Sequence, residues 1–177
     1  MGSSSDNGLN NWIEEGLWRK IQNILPIITI DVLPLNHKPT SENLEIGLIL
    51  RETADDGKKW CFLGGRLLYG EKLWEGVKRQ VRITLGKDVI INETGSDHQP
   101  LYVAQYFNYN DNEFLRDPRQ HAVGLTYAVP LSGIIKPRDE ALDFKWFNLN
   151  KLPPPKDFGF NHDILLSRCL ELLNIEK

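Results

Sequence analysis

The stretch from Trp60 to Gly86 constrains the fold of this chain more than any other. Its apolar run, 60–63, is followed by the glycine pair Gly64-Gly65. Glycine pairs are typical of turns, so we predict a short strand and then a loop that extends to Gly70. Apolar residues then recur at helical spacing over 72–85, and Gly86 suits the C-terminal end of that helix. The stretch therefore predicts a strand, a loop and a helix in direct succession.

Strands and helices alternate in the rest of the chain. Runs rich in β-branched and aromatic residues predict strands, and amphipathic spacing predicts helices. Asn11 and Glu14 have the spacing of a capping box, so the first helix is predicted to begin near Asn11. The order favours an α+β fold in which a mixed β-sheet packs between α-helices. The predicted strands are 27–35, 44–51, 60–63, 101–109, 121–131 and 144–147, and the later helices are 72–85 and 161–173.

Length and composition favour one domain with an ordinary core. The chain has 177 residues, of which 41% are hydrophobic, and we assign residues 9–177 to a single domain with an extra N-terminal helix. Residues 1–8 are rich in Gly, Ser and Asn and are predicted to be disordered. The formal net charge of −3 argues against non-specific nucleic-acid binding. No apolar run approaches the ~18 residues of a membrane span and no signal-peptide pattern is found, so we expect a cytoplasmic protein without membrane association.

Five residues of the segment 65–86 match the pattern G-x5-E-x7-R-E-U-x-E-E-x-G-U, where U is a bulky apolar residue. They are Gly65, Glu71, Arg79, Val81 and Gly86. Several fixed spacings at once are a specific signal. On these residues the chain resembles the Nudix hydrolase superfamily. The resemblance implies the Nudix fold, hydrolysis of a nucleoside diphosphate linked to another moiety, a Mg²⁺ or Mn²⁺ cofactor and a homodimer, because Nudix folds often dimerise.

Three glutamates of that pattern are replaced here by Gln80, Ile83 and Thr84. In Nudix enzymes the carboxylates at these positions hold Mg²⁺ or Mn²⁺ beside the diphosphate. Hard cations prefer anionic oxygen ligands, whereas Gln80 and Thr84 offer only neutral oxygens and Ile83 offers none. The sequence therefore predicts a degenerate Nudix box with a weakened metal site.

Further residues resemble the GDP-mannose mannosyl hydrolase branch of the superfamily. Asp31 stands in the first predicted strand, Arg51 precedes Trp60 by nine residues and Arg66 follows the glycine pair. The resemblance implies that Arg51 and Arg66 hold the diphosphate and that Asp31 orients the nucleobase or the sugar. A nucleotide sugar is thus one expected ligand, and guanidinium groups suit its diphosphate.

Candidate metal ligands and catalytic groups follow from the same resemblance. The branch uses a Gln-His pair where this chain has Glu140-Ala141, so the base histidine is absent there and Glu140 is expected to act as a metal ligand or a base. The Gly64 carbonyl and Glu71 are expected to complete the metal site. Gln80 is a further catalytic candidate, and so is His121, because a neutral imidazole can serve as a base near pH 7.

Simpler structural roles compete with several of these assignments. Glu71 and Arg79 can form an ion pair that ties the loop to the helix. Glu75 and Arg79 have the i,i+4 spacing of a solvated pair. Three histidines in polar segments are expected to be solvated, and one member of an aromatic run is expected to stack on a base. These residues are His37, His98 and His162, and Tyr106, Phe107 or Tyr109.

Two functions remain open on the sequence. The first is a metal-assisted hydrolase of a nucleoside diphosphate derivative. The second is an inactive Nudix fold that binds and reports a nucleotide derivative, or that serves as a protein-interaction module. The loss of three box glutamates favours the second function, and the arginines and Glu140 favour the first.

Overall fold

The computed structural model describes residues 13–36, 44–92, 98–109 and 115–175. Two short 3₁₀ helices, 149–151 and 155–157, follow the last strand. The three α-helices are α1 (Glu15–Gln22), α2 (Leu73–Leu85) and α3 (His162–Leu172). The strands are β1 (Ile27–Leu35), β2 (Glu45–Thr53), β3 (Gly57–Cys61), β4 (Leu63–Arg66), β5 (Val89–Ile91), β6 (Tyr102–Phe107), β7 (Leu115–Arg116), β8 (Ala122–Gly133) and β9 (Asp143–Asn148).

A parallel pair of strands, β1 and β8, forms the centre of the sheet. Their register runs from Ile27 opposite Ala122 to Leu35 opposite Pro130. On its other edge β1 pairs antiparallel with β4 and then with β2, while β6 pairs antiparallel with β8. Because parallel and antiparallel ladders share one sheet, the sheet is mixed, as predicted.

The two faces of β1 belong to two different cores. Ile30 and Val32 pack with the apolar side of α2, whereas Leu33 and Leu35 pack with α3. Successive side chains of a strand point to opposite faces, so one strand can serve both layers. The contacts from α2 come from Val77, Val81 and Leu85, spaced one helical turn apart. The sheet is therefore sandwiched between helices, which confirms the predicted α+β architecture.

The glycine pair lies in a strand rather than in the predicted loop. Gly64 and Gly65 pair with Asp31 and Ile30 of β1, so the loop prediction was wrong as far as Arg66. A Cβ on Gly64 would lie 2.4 Å from the carbonyl oxygen of Ile30. Glycine is therefore needed here for close backbone approach, and its usual meaning as a strand breaker does not apply.

The N-terminal helix begins later than predicted. Glu14 is its N-cap residue, and its carboxylate accepts hydrogen bonds from the backbone N–H groups of Gly16 and Leu17 at 2.8 and 3.0 Å. Asn11, the predicted capping residue, lies outside the described residues, as do residues 1–8. Trp18 and Ile21 pack against the core. None of the helices in the described ranges combines the length and apolarity needed to cross a membrane.

Candidate active site

A cavity of about 990 Å³ lies beside α2, the helix of the segment that resembles the Nudix box. At this place β1, β2 and β4 meet the loop before β9. Its wall brings together most of the residues that the sequence nominated. The six that line it are Asp31, Arg51, Gly64, Arg66, Gln80 and Glu140. Residues more than 100 positions apart in the chain therefore face one space, which is expected of a ligand site.

Glu71, a predicted metal ligand, does not line the cavity. Its two oxygens receive Nε and Nη2 of Arg79 at 2.6 and 2.8 Å, and one of them also receives the Leu68 backbone N–H. The Arg79 guanidinium holds the pKa of Glu71 below its usual value. The alternative role, an ion pair that ties the loop to the helix, is confirmed. Glu75 pairs with Lys78 at 2.8 Å instead of with Arg79, so that predicted pair was wrong.

His121 is the other predicted site residue that does not line the cavity. Its ring stacks on Phe107 with 4.8 Å between centroids. The residues on either side of it, Gln120 and Ala122, do line the cavity. Side chains alternate along extended chain, so His121 points away from the space that its neighbours face. The structure does not bring this imidazole to the other candidates.

Arg51 and Glu140 form a half-buried ion pair on the cavity wall. The distance from Arg51 Nη1 to Glu140 Oε2 is 2.6 Å, and the side chains are 16% and 25% exposed. Burial raises the pKa of Glu140, and Arg51 partly opposes that shift. Arg51 Nε and Glu140 Oε1 are buried and have no hydrogen-bond partner among the described residues. The pair therefore leaves one buried donor and one buried acceptor unsatisfied at the cavity wall.

Asp31 is buried on β1 and joins Tyr106 and His162, for which the sequence predicted other roles. Tyr106 donates its hydroxyl hydrogen to Asp31 Oδ2 at 2.9 Å, and the same hydroxyl lies 3.2 Å from His162 Nε2. Burial raises the pKa of Asp31 to about 7, and the Tyr106 hydrogen bond opposes the rise. Burial lowers the pKa of His162 to about 3. His162 is thus a buried neutral group, and the expectation that it is solvated was wrong.

The wall contains a second ion pair, between Arg119 and Asp117, that the sequence did not predict. Arg119 donates Nε and Nη2 to the two oxygens of Asp117 at 2.8 and 2.9 Å. The guanidinium carbons of Arg119 and Arg51 lie 5.3 and 5.5 Å from the centre of the Phe160 ring. Phe160 has a φ of 58°, which is uncommon for a bulky residue and marks a turn held by its surroundings. No pattern of local sequence signals such a contact.

Comparison with known proteins gives the family. Residues 8–171 match the family described as Domain of unknown function (DUF4916). The chain belongs to this family. No curated protein matches its sequence.

Solved structures place this DUF4916 chain in the Nudix fold. It is similar to a protein from Jonesia denitrificans described as a possible asymmetric diadenosine tetraphosphate hydrolase, with 26% identity and a TM-score of 0.76 over 85% of this chain and 96% of that one. A MutT NUDIX hydrolase from Burkholderia pseudomallei has 20% identity and a TM-score of 0.60 over 81% and 98%. The NUDIX domain of NrtR from Shewanella oneidensis, complexed with ADP ribose, has 18% and 0.57 over 91% and 99%. The predicted fold is confirmed, and the nearer resemblance to GDP-mannose mannosyl hydrolases stays a prediction.

The described residues of this DUF4916 chain do not fit a divalent cation held in the Nudix manner. Gln80 is buried against the glycine pair, and a Cβ on Gly65 would lie 2.6 Å from its amide nitrogen. Thr84 is buried and Ile83 has no ligand atom. Within the described ranges, no group of three His, Cys, Asp or Glu side chains is arranged to hold a metal. The Gly64 carbonyl and Glu140 remain, but the Glu140 carboxylate is engaged by Arg51.

Proposed function

We propose that this chain is a hydrolase of a nucleoside diphosphate linked to another moiety. The observation that carries the proposal is the cavity of a Nudix fold in which three arginines, Arg51, Arg66 and Arg119, meet two carboxylates with raised pKa values, Asp31 and Glu140. Perturbed carboxylates in a cleft are typical of catalytic sites. Guanidinium groups beside them match the geometry of phosphate oxygens.

The arginines would bind the diphosphate. Arg51 and Arg119 are each held by an ion pair, with Glu140 and with Asp117. The Nη1 atom of Arg51 lies 2.6 Å from Glu140 Oε2. The Arg66 guanidinium carbon lies 4.8 Å from the centre of the Trp18 ring. Side chains that are already fixed lose less conformational entropy on binding.

Glu140 would take a proton from the water that attacks the bond between the diphosphate and the second moiety, and it would return that proton to the oxygen that leaves. Burial raises its pKa, which brings a carboxyl group closer to the pH at which it can both accept and return a proton. Gln80, whose amide lies beside Gly65, would orient that water by hydrogen bonding. Asp31 would receive a hydroxyl of the sugar or ribose moiety. None of these steps runs through a metal ion, because the described residues do not fit one.

The structural neighbours support this class of ligand. The Jonesia protein is described as a possible asymmetric diadenosine tetraphosphate hydrolase, and the NrtR domain is complexed with ADP ribose. Both compounds contain a nucleoside linked through phosphates to a second moiety. A nucleotide sugar has the same chemistry, and it is the ligand that the resemblance of Asp31, Arg51 and Arg66 favours. A homodimer stays a prediction of the same resemblance.

A specific observation also favours a second function, ligand binding without turnover. The three box positions that normally carry carboxylates hold Gln80, Ile83 and Thr84. A site that keeps its phosphate-binding arginines but loses metal-binding carboxylates could retain affinity and lose catalysis. Such a protein would act as a sensor of a nucleotide derivative.

A turnover screen tests both functions. The purified chain is incubated with ADP-ribose, diadenosine tetraphosphate and nucleotide sugars, in EDTA and in about 5 mM Mg²⁺ or Mn²⁺, a range that saturates weak hard-cation sites. Release of a nucleotide that is lost in Glu140→Gln and Arg66→Ala, and kept in the surface control Glu75→Ala, supports the hydrolase. Thermal stabilisation by one compound without turnover supports the sensor. Neither turnover nor stabilisation by any compound rejects both functions.

A further inference from the structure

Three buried side chains from three separate elements meet on the cavity wall. Asp31 comes from β1, Tyr106 from β6 and His162 from the start of α3. The Tyr106 hydroxyl lies 2.9 Å from Asp31 Oδ2 and 3.2 Å from His162 Nε2. His162 Nδ1 lies 2.9 Å from the backbone nitrogen of Phe62. The contacts therefore form one chain from the backbone of Phe62 to the carboxylate of Asp31.

The direction of every hydrogen bond in this chain can be deduced. A backbone N–H can only donate, so Nδ1 of His162 accepts from Phe62 and carries no proton. Burial keeps the His162 ring neutral, so its single proton is on Nε2. That proton is donated to the Tyr106 oxygen, and the Tyr106 hydroxyl in turn can donate only to Asp31. The tautomer of His162 thus fixes the direction in which the Tyr106 hydroxyl hydrogen points.

The neighbouring strands make room for the carboxylate of Asp31. A Cβ on Gly124 of β8 would lie 2.2 Å from Asp31 Oδ2, and a Cβ on Gly64 of β4 would lie 2.8 Å from Oδ1. Any larger residue at either position would displace the carboxylate. A buried carboxyl group costs stability unless it is well partnered, and here two glycines and a hydrogen-bond chain hold it at the cavity.

We propose that His162 is a positioning residue that acts on Asp31 through Tyr106. By holding the Tyr106 hydroxyl hydrogen on Oδ2, it leaves the other lone pairs of Asp31 in one fixed orientation as acceptors for a ligand. The group received there is a hydrogen-bond donor, and a hydroxyl of a sugar or ribose supplies one. The identity of this ligand rests on the proposed function, whereas the positioning role does not.

Two substitutions of His162 distinguish a role in the hydrogen-bond chain to Asp31 from a role in stabilising the fold alone. Glutamine places an amide N–H near the position of Nε2, so His162→Gln keeps a donor for Tyr106 and loses the acceptor for Phe62. Asparagine places a carbonyl oxygen near the position of Nδ1, so His162→Asn keeps the Phe62 partner and loses the donor for Tyr106. A purely structural histidine would be replaced best by asparagine, and a positioning histidine by glutamine.

Nuclear magnetic resonance of the ligand-free full chain tests the proposal without a substrate. The ¹⁵N shifts of His162 are expected to show a protonated Nε2 and an unprotonated Nδ1. The ¹³C titration midpoint of the Asp31 carboxyl is expected to rise by about half a unit or more in His162→Asn and in Tyr106→Phe, because a hydrogen bond to the charged form is weakened. In His162→Gln it stays near the wild-type value. Asp117, Glu140 and Arg51, which also act on Asp31, are unchanged in all three variants.

The opposite tautomer, or equal Asp31 midpoints in wild type and His162→Asn, would overturn the positioning role. Kinetics supply a second readout with any substrate that the wild type hydrolyses. His162→Asn is expected to lower kcat/KM by about tenfold, the effect of one lost hydrogen bond in the transition state, and His162→Gln by less than about threefold. Equal losses in the two variants would also overturn it. A wild type without turnover rejects the hydrolase, while the resonance shifts still decide the role of His162.

Discussion

Two parts of the cavity wall differ in what they have kept. The box segment, residues 65–86, retains the residues that shape the loop and the helix, namely the Glu71–Arg79 ion pair and both terminal glycines. The positions that resemble the box glutamates hold Gln80, Ile83 and Thr84. The buried triad, Asp31, Tyr106 and His162, is formed by other elements and contains the most perturbed titratable groups on the wall.

The box segment of this chain keeps its conformation through contacts that do not involve residues 80, 83 and 84. Arg79 donates two hydrogen bonds to Glu71 and donates Nη2 to the carbonyl oxygen of Arg66 at 2.9 Å. These contacts attach the loop to the helix and to the end of β4. The conformation of the box therefore does not require its metal-binding carboxylates, and the chemistry of the cavity can depend on the triad.

The largest expected effect is the loss of activity in Asp31→Asn. Asparagine keeps an oxygen for the Tyr106 hydroxyl but replaces one acceptor by an N–H₂ donor, which would face the hydroxyl of the ligand. We expect kcat/KM to fall by about 100-fold, within the range found when a buried polar contact to substrate is mismatched. Steady-state kinetics with the best substrate of the screen measure it. A loss below about threefold would mean that the triad does not contact the ligand.

The sequence predicted the box segment better than the triad, for a physical reason. The box lies within one continuous stretch, so its spacing is visible along the chain. His162 contacts Phe62 across 100 positions, and its neighbours Asn161 and Asp163 resemble a solvated helix start. Its burial is a tertiary effect that no local pattern contains.

The same reasoning explains the other outcomes. Tyr106 was one of three aromatic residues considered for stacking on a base. Only the orientation of β6 shows that its hydroxyl contacts Asp31. The glycine pair was predicted to be a loop because glycine usually weakens strands, whereas here it permits β4 to approach β1. Arg51, Arg66 and Glu140 line one cavity, and the roles predicted for them from the sequence stay predictions.

The second prediction concerns the stability of the box segment. Arg79→Met removes the guanidinium and leaves the Glu71 carboxylate, which is only 12% exposed, without its partner. We expect a loss of about 2 kcal/mol in the free energy of unfolding, below the 3–5 kcal/mol of a fully buried pair because water reaches Arg79. Urea denaturation measures it. In the double variant Glu71→Gln/Arg79→Met the loss should be smaller than the sum of the single losses, and simple additivity would show that the pair is not coupled.

The third prediction is the pH dependence that Asp31 gives to stability. Its pKa is about 7 in the folded chain and near 3.8 when unfolded, so between these values the folded state binds more protons and stability falls as the pH rises. Asp31→Asn is expected to unfold like wild type near pH 4 and to be more stable by at least about 1 kcal/mol at pH 8, a part of the roughly 4 kcal/mol that a pKa difference of about three carries. Denaturation curves at both pH values measure the difference. His162, whose pKa is lowered, has the opposite dependence in both proteins and cancels in the comparison. An equal difference at the two pH values would contradict the raised pKa.

The fourth prediction returns carboxylates to the box segment. Gln80 and Ile83 both line the cavity, one helical turn apart, and Gln80→Glu/Ile83→Glu would add two anionic ligands there. We expect a weak site with a Kd on the order of 1 mM, so that ~2 mM Mn²⁺ stabilises the variant by about 0.6 kcal/mol. Thermal denaturation with and without Mn²⁺ measures it. Stabilisation of the wild type by the same amount would show that the described residues already hold a cation.

The smallest effect is expected within the box segment but away from the cavity, at the Glu75–Lys78 pair on the solvated side of α2. The Glu75 side chain is 56% exposed, and pairs of this kind contribute about 0.5 kcal/mol or less because water and salt screen them. Glu75→Ala should therefore change the free energy of unfolding by less than about 0.5 kcal/mol and leave kcat/KM unchanged. Glu75→Ala and Arg79→Met each remove one ion pair of α2. Comparing their losses in the free energy of unfolding therefore shows how much the position of the pair matters. If the loss in Glu75→Ala equalled that in Arg79→Met, the stability of the box segment would come from helix charge in general, and the distinction between its structural and chemical roles would fail.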